Sequence, residues 1–246
     1  MLFATIIRRL FSDRTNANVA RWAAILVTCA TMSAQEIWRS APQEMSRANL
    51  WSVATGNGTL VAVGEQGTIL TASSEDFGWF RRESGTSVWL VGAGFGNGRF
   101  VVVGDRGVIL TSDDAGITWT ARPAGTDLRL NGVAFGGGRW IAIGEQGVVL
   151  TSTDGTIWEP RPSLGTGFLR AIAYGPDRFY VGGAGGKLFT TTDAATFTAI
   201  AVPSTADIES VAASATHVWI AGSGGLLATH TAGAWNVDTT GYNSTF

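Results

Sequence analysis

The sequence predicts an all-β protein, a β-propeller of four-stranded blades with five repeats visible. Three observations point there. Glycine fills 33 of 246 positions while charged residues make up 15% and hydrophobic ones 45%, the composition of a chain that turns often and still fills a core. A G-x-x-G frame recurs at Gly64-Glu65-Gln66-Gly67, Gly104-Asp105-Arg106-Gly107, Gly144-Glu145-Gln146-Gly147, Gly183-Ala184-Gly185-Gly186 and Gly222-Ser223-Gly224-Gly225, its first glycines spaced by 40, 40, 39 and 39. A fixed period near forty with several short strands per unit is the signature of a propeller blade. Finally, the segments between the frames are short apolar runs bounded by turn residues, without the 3.6-residue period of a helical solenoid.

The elements follow in order along a unit. In the third, Asn131 to Phe135 reads as a strand, Gly136-Gly137-Gly138 as a turn and Arg139 to Ile143 as a second strand. Gly144 to Gly147 is the next turn, Val148 to Ser152 a third strand, and Trp158 opens a fourth. Runs such as Phe100-Val101-Val102-Val103 and Trp140-Ile141-Ala142-Ile143 are apolar at every position, as expected where both faces of a sheet press on neighbours. The repeats fall at about 50–86, 87–126, 127–166, 167–205 and 206–246 within a propeller domain of residues 35–246.

Residues 1–34 read as a signal peptide. Arg8, Arg9, Arg14 and Arg21 precede an apolar run from Trp22 to Met32, and Ser33 and Ala34 supply a small-residue cleavage zone. The run is shorter than the roughly 20 residues a bilayer span needs, so no membrane span remains after cleavage. Arg8-Arg9-Leu10-Phe11 resembles a twin-arginine core, but Ile7 and Ser12-Asp13 depart from it. Leu26-Val27-Thr28-Cys29 resembles a lipobox, with Thr28 a poor fit before the cysteine. The expected destination is the periplasm or the extracellular space, as a free protein or a lipoprotein. Cleavage leaves 13 basic and 18 acidic residues and no cysteine. That balance argues against nucleic acid as a partner, and the fold must be held by packing rather than disulfides.

After the third strand comes a second motif. Ser112-Asp113-Asp114-Ala115-Gly116-Ile117-Thr118-Trp119 fits S-x-D-x-G-x-T-W at every fixed place, and Ser112, Asp114, Gly116 and Trp119 are its structural residues. Ser152-Thr153-Asp154-Gly155-Thr156-Ile157-Trp158 is one residue shorter, keeping Ser152, Asp154 and Trp158; the fourth unit keeps Asp193. A carboxylate there can accept hydrogen bonds from the amides of its own turn. On these residues the chain resembles the Asp-box, or bacterial neuraminidase repeat, propellers. The whole unit, V-A-V-G-x-x-G-T-I-L-T-S-x-D-x-G-x-T-W, resembles the repeats of the photosystem II stability and assembly factor family over residues 50–246. That resemblance implies an exported, non-enzymatic propeller that docks onto, or helps assemble, other proteins.

Blade number has two readings. From each fourth-strand aromatic to the inner strand of the next unit is 14 residues, as from Trp119 to Val133, and Trp38 stands 15 before Val53. Ile37 to Ser40 therefore reads as an outer strand without inner strands of its own, as in a truncated propeller of six to eight blades. The alternative is a closed ring of five.

Repeat-equivalent charges mark the candidate surfaces. Arg99, Arg139 and Arg178 stand five residues before successive G-x-x-G frames, in the turn between first and second strands. An arc of guanidinium groups there suits a protein client with an acidic surface. Glu65, Asp105 and Glu145 sit in the G-x-x-G turns of the opposite face, where Arg82, Arg122 and Arg161 are expected to pair with them within each blade. Trp51 and Trp89 are the candidates for stacking a glycan. No catalytic, metal or cofactor constellation emerges: His217 and His230 lack metal-ligand spacing, and there is no G-x-S-x-G elbow. A sialidase-like glycosidase is the enzymatic alternative, with Glu65, Asp105 and Glu145 as its only repeated turn carboxylates.

Overall fold

The computed structural model describes residues 48–74, 78–165 and 167–238; the signal peptide and Trp38 lie outside them. Apolar strands separated by tight glycine turns can satisfy their backbone polar groups only by pairing with their sequence neighbours, and each repeat forms one antiparallel four-stranded sheet. Blade 1 contains β1 (Leu50–Gly56), β2 (Thr59–Gly64), β3 (Ile69–Ser73) and β4 (Trp79–Arg82). Blade 2 contains β5 (Leu90–Gly96), β6 (Arg99–Gly104), β7 (Ile109–Ser112) and β8 (Thr120–Arg122). Blade 3 contains β9 (Leu130–Gly136), β10 (Arg139–Gly144), β11 (Val149–Ser152) and β12 (Glu159–Arg161). Blade 4 contains β13 (Leu169–Tyr174), β14 (Phe179–Gly183), β15 (Leu188–Thr191) and β16 (Thr198–Ile200). Blade 5 contains β17 (Ile208–Ala213), β18 (His217–Gly222), β19 (Leu227–Thr231) and β20 (Ala234–Asp238). The fourth strand of blade 3 begins at Glu159, one residue after Trp158, whose indole is buried beneath the turn instead.

The two glycines of each G-x-x-G frame are required for different reasons. Gly104 is extended, at φ −172°, but a Cβ there would stand 2.0 Å from the Trp89 carbonyl oxygen. Gly107 has φ +65°, and a Cβ would stand 1.9 Å from the Thr126 carbonyl oxygen. Arg106 between them is left-handed as well, at φ +55°, a cost of order 1–2 kcal/mol for a residue with a Cβ.

Side-chain alternation builds the core between sheets. In β6, Val101 and Val103 point forward onto Trp140, Ala142 and Leu150 of blade 3, while Phe100 and Val102 point back onto Val61, Val63 and Ile69 of blade 1. Ile141, Ile143 and Val149 repeat the forward contact onto Phe179 and Val181, and Leu188 and Tyr180 repeat it onto Val218 and Ile220. Each fully buried Val, Leu or Ile contributes about 1.5–3 kcal/mol, so the interfaces between blades are the main source of stability. The innermost strands contact one another in chain order, β1 with β5, β5 with β9, β9 with β13 and β13 with β17, whereas no comparable contact joins β17 to β1.

Candidate interaction site

Antiparallel up-and-down pairing puts all first-to-second-strand hairpins and all Ser-x-Asp turns at one end of the sheets, the hairpin end. The strand starts and the G-x-x-G turns lie at the other, the strand-start end.

At the hairpin end, the side chains of Arg99, Arg139 and Arg178 each take a hydrogen-bonding partner. Arg99 donates through Nε and Nη2 to both carboxylate oxygens of Asp113, at 2.6 and 3.0 Å, and through Nη1 to the main-chain oxygen of Asp154 in blade 3. Arg139 likewise donates to the Asp193 main-chain oxygen of blade 4, at 2.6 Å. Arg178 pairs with its neighbour Asp177, at 2.8 Å. The physical reason is position: the hairpin of one blade reaches the Ser-x-Asp turn of the next, and a guanidinium bonds to the carbonyl within its reach.

The aspartates of those turns bond to their own loop. Asp114 accepts from the hydroxyls of Ser112 and Thr118, at 2.7 and 2.6 Å, and from the Thr118 amide at 2.9 Å, while the Gly116 amide donates to Ser112 Oγ at 2.8 Å. Desolvation pushes the Asp114 carboxyl up, but these donors outweigh it and hold it at about 2. The Thr156 hydroxyl, with the amides of Ile157 and Thr156, holds Asp154 well below the usual carboxylate range. The amides of Thr196 and Ala195 and the hydroxyl of Thr191 hold Asp193 at about 2. The Trp119 and Trp158 indoles close their turns by donating to the Gly116 and Gly155 carbonyls, at 3.0 and 3.1 Å. No group of three or more metal-capable side chains occurs among the described residues.

At the strand-start end the expected pairing of Arg82, Arg122 and Arg161 with turn carboxylates is replaced by another. Each donates through Nε to a third-strand threonine, Thr71, Thr111 or Thr151, at 2.8, 3.0 and 2.8 Å. The side chains point across the sheet face, where that hydroxyl is the nearest acceptor. Glu65 instead accepts from Asn49 Nδ2 at 2.9 Å, and Asp105 faces Arg129 Nε at 3.2 Å.

This end carries a surface strip. Each unit has a constant aliphatic residue at the start of its first strand (Leu50, Leu90, Leu130, Leu169, Ile208); the last four are buried and Leu50 is half-buried. The position before it changes chemical class from unit to unit, as Asn49, Trp89, Arg129, Phe168 and Asp207; the position after it does the same, as Trp51, Val91, Asn131, Arg170 and Glu209. Trp51 stacks on Trp89 with centroids 5.8 Å apart, and the Arg129 guanidinium lies 5.9 Å from the Trp89 ring. Farther along, Arg170 lies 5.5 Å from the Phe168 ring and pairs with Glu209 at 3.0 Å and Asp207 at 3.6 Å. Trp89 is 39% exposed and Phe168 46%, so aromatic faces and guanidinium edges lie side by side at the surface. The sequence reads Trp51 and Trp89 as exposed aromatics; Trp89 is exposed and Trp51 is half-buried. Arg129, Phe168 and Arg170 were not singled out, although variation flanking a constant leucine was the signal that marks them.

No known protein-family model matches the chain, and no curated protein matches its sequence. Solved structures do match. The structure described as YCF48 bound to D1 peptide superposes with a TM-score of 0.61 at 16% identity, over 77% of this chain and 66% of that one. YCF48 from Cyanidioschyzon merolae gives 0.64 at 16%, over 81% and 74%, and the WD40 repeats of RRP9 give 0.62 at 12%, over 76% and 64%. The chain thus spans about two thirds of the length of these structures. At such identities the likeness concerns the fold, and with five sequential four-stranded antiparallel sheets it identifies the chain as a β-propeller.

Proposed function

We propose that this protein is an exported, non-enzymatic propeller that binds a segment of a client protein on its strand-start end. The observation that carries the proposal is the strip Trp51, Trp89, Arg129, Phe168 and Arg170. A regular scaffold varies its chemistry at two positions per repeat, and it does so with the aromatic residues and arginines that dominate protein interfaces. Arg129 and Arg170 are already balanced by Asp105, Glu209 and Asp207, so the fitting client is an extended segment with apolar side chains and one or two carboxylates, rather than a broad acidic face. The fold likeness to a YCF48 structure with a D1 peptide bound and the repeat resemblance to photosystem II assembly factors support a peptide-holding role. Likeness to WD40 repeats supports an interaction module over an enzyme.

A displayed library of twelve-residue peptides selected on the protein tests this. Enriched sequences should bind with a change in tryptophan emission and lose affinity tenfold or more in Trp89→Ala and Arg129→Ala, while Phe80→Ala at the outer edge changes nothing. No enrichment, or binding indifferent to those substitutions, would refute the proposal. Binding of oligosaccharides instead, lost with Trp51 or Trp89 and insensitive to salt, would assign the strip to a glycan. Export is tested by mass spectrometry of the secreted protein, which should find an N-terminus between Thr31 and Glu36.

A further inference from the structure

Charge balance and hydrogen bonding part company at Arg129. Its Nε lies 3.2 Å from Asp105 Oδ1, yet that nitrogen is buried and makes no hydrogen bond, because an N–H must also be aimed at its acceptor. Among the described residues no acceptor pairs with its Nη1 or Nη2 either, although the side chain is 31% exposed. The other half-buried arginines of the described chain each donate at least one side-chain hydrogen bond. Arg170 shows what a guanidinium of this strip can hold: Nη1 donates to Glu209 at 3.0 Å while Nη2 faces Asp207 at 3.6 Å, two carboxylates on one fork. Arg129 has one carboxylate beside it, on its Nε edge.

We infer that Arg129, and not Arg170, takes a carboxylate of the client segment, through its Nη1 and Nη2. The inference rests on the strip reading above and narrows it to one carboxylate at one blade. A guanidinium carries five N–H donors in fixed directions, and its Nη pair matches the two oxygens of a carboxylate. Asp105 does not forbid a second carboxylate, since Arg170 faces two. The Trp89 ring lies 5.9 Å from the guanidinium and is itself exposed, so an apolar client side chain against Trp89 and a carboxylate on Arg129 stand close together. Same-side residues of an extended chain recur about every 6.6 Å, which sets the apolar and acidic residues two positions apart. Arg129 is then the residue that selects for an acidic client, and Arg170 holds the neighbouring Glu209 and Asp207 in place.

The probe is a twelve-residue peptide enriched on the full chain by display and synthesised with an amidated C-terminus. Each of its acidic residues is replaced in turn by the corresponding amide, and binding is titrated through tryptophan emission. One replacement, two positions from an apolar residue, should weaken binding to the unsubstituted protein about fivefold or more. The same replacement should change nothing on Arg129→Gln and should cost its full factor on Arg170→Gln, both with unchanged circular dichroism. Loss of binding on amidating the C-terminus instead, with the same coupling to Arg129, supports the inference and assigns the carboxylate to the chain end. Peptides that need no carboxylate, or whose carboxylate is coupled to Arg170, overturn it; if Trp89→Ala still abolishes their binding, the strip reading stands without it. A library that yields no binder refutes the strip reading and this assignment together.

Discussion

Arg99 joins two sheets with one side chain, since its guanidinium holds Asp113 in its own blade and the Asp154 carbonyl in the next. Both acceptors are exposed and become hydrated when it is removed, so the loss is up to about 1 kcal/mol. Arg99→Ala should therefore lower the melting temperature by about 2 to 4 °C, Arg139→Ala by somewhat less, and Arg178→Ala by nothing measurable, because an exposed pair with the adjacent Asp177 contributes little. Thermal melts of the three variants check this; equal, unperturbed melts would return these arginines to the role of a free binding arc. The turn aspartates set a pH dependence. Asp114 and Asp193 sit at about 2 in the folded protein against an ordinary 3.8, so below pH about 4 the unfolded chain binds protons before the folded one does. Stability is accordingly intact above that pH and is lost as pH falls toward 2. The melting temperature of Asp114→Asn should start lower and fall less steeply across that window.

The first strands of blades 1, 2 and 3 each end in a glycine whose missing side chain is filled by the next blade. A Cβ on Gly56 would stand 2.1 Å from the Phe95 ring, on Gly96 2.1 Å from Phe135, and on Gly136 2.0 Å from Tyr174. Those rings also pack on the second strand of their own blade, Phe95 on Phe100 at 4.6 Å, Phe135 on Trp140 at 5.0 Å and Tyr174 on Phe179 at 4.7 Å. A methyl at Gly96 therefore displaces a ring that has nowhere to go, and Gly96→Ala should destabilise the protein by about 1 to 3 kcal/mol. Pairing it with Phe135→Leu, which frees the space, should recover part of the loss in denaturant titration. Additive losses would mean that ring and glycine do not share the space. The strand pattern was legible because alternation and turn glycines are local signals, and the third unit's strands lie within a residue of their expected ends. The ring-to-glycine contact was not, because it joins residues about forty apart that only blade stacking brings together.

Across the whole molecule, protection from exchange should follow the number of sheets covering each strand. β6 and β10 lie between two blades, with Val101, Val102, Ile141 and Ala142 fully buried, while β18 is covered on one side only. Hydrogen exchange by mass spectrometry should therefore be slowest in β6 and β10 and faster in β18. Equal protection of β6, β10 and β18 would contradict this order. The repeat period, the four strands of each blade and the buried Leu and Val positions were determined by the sequence alone, since they depend on turn chemistry and alternation within one unit. Which acceptor each arginine takes and which aromatic stays exposed were decided only by tertiary structure. The sequence of one blade is nearly that of the next, so only stacking one sheet on another distinguishes a covered Ile141 from an exposed Trp219 in the same register.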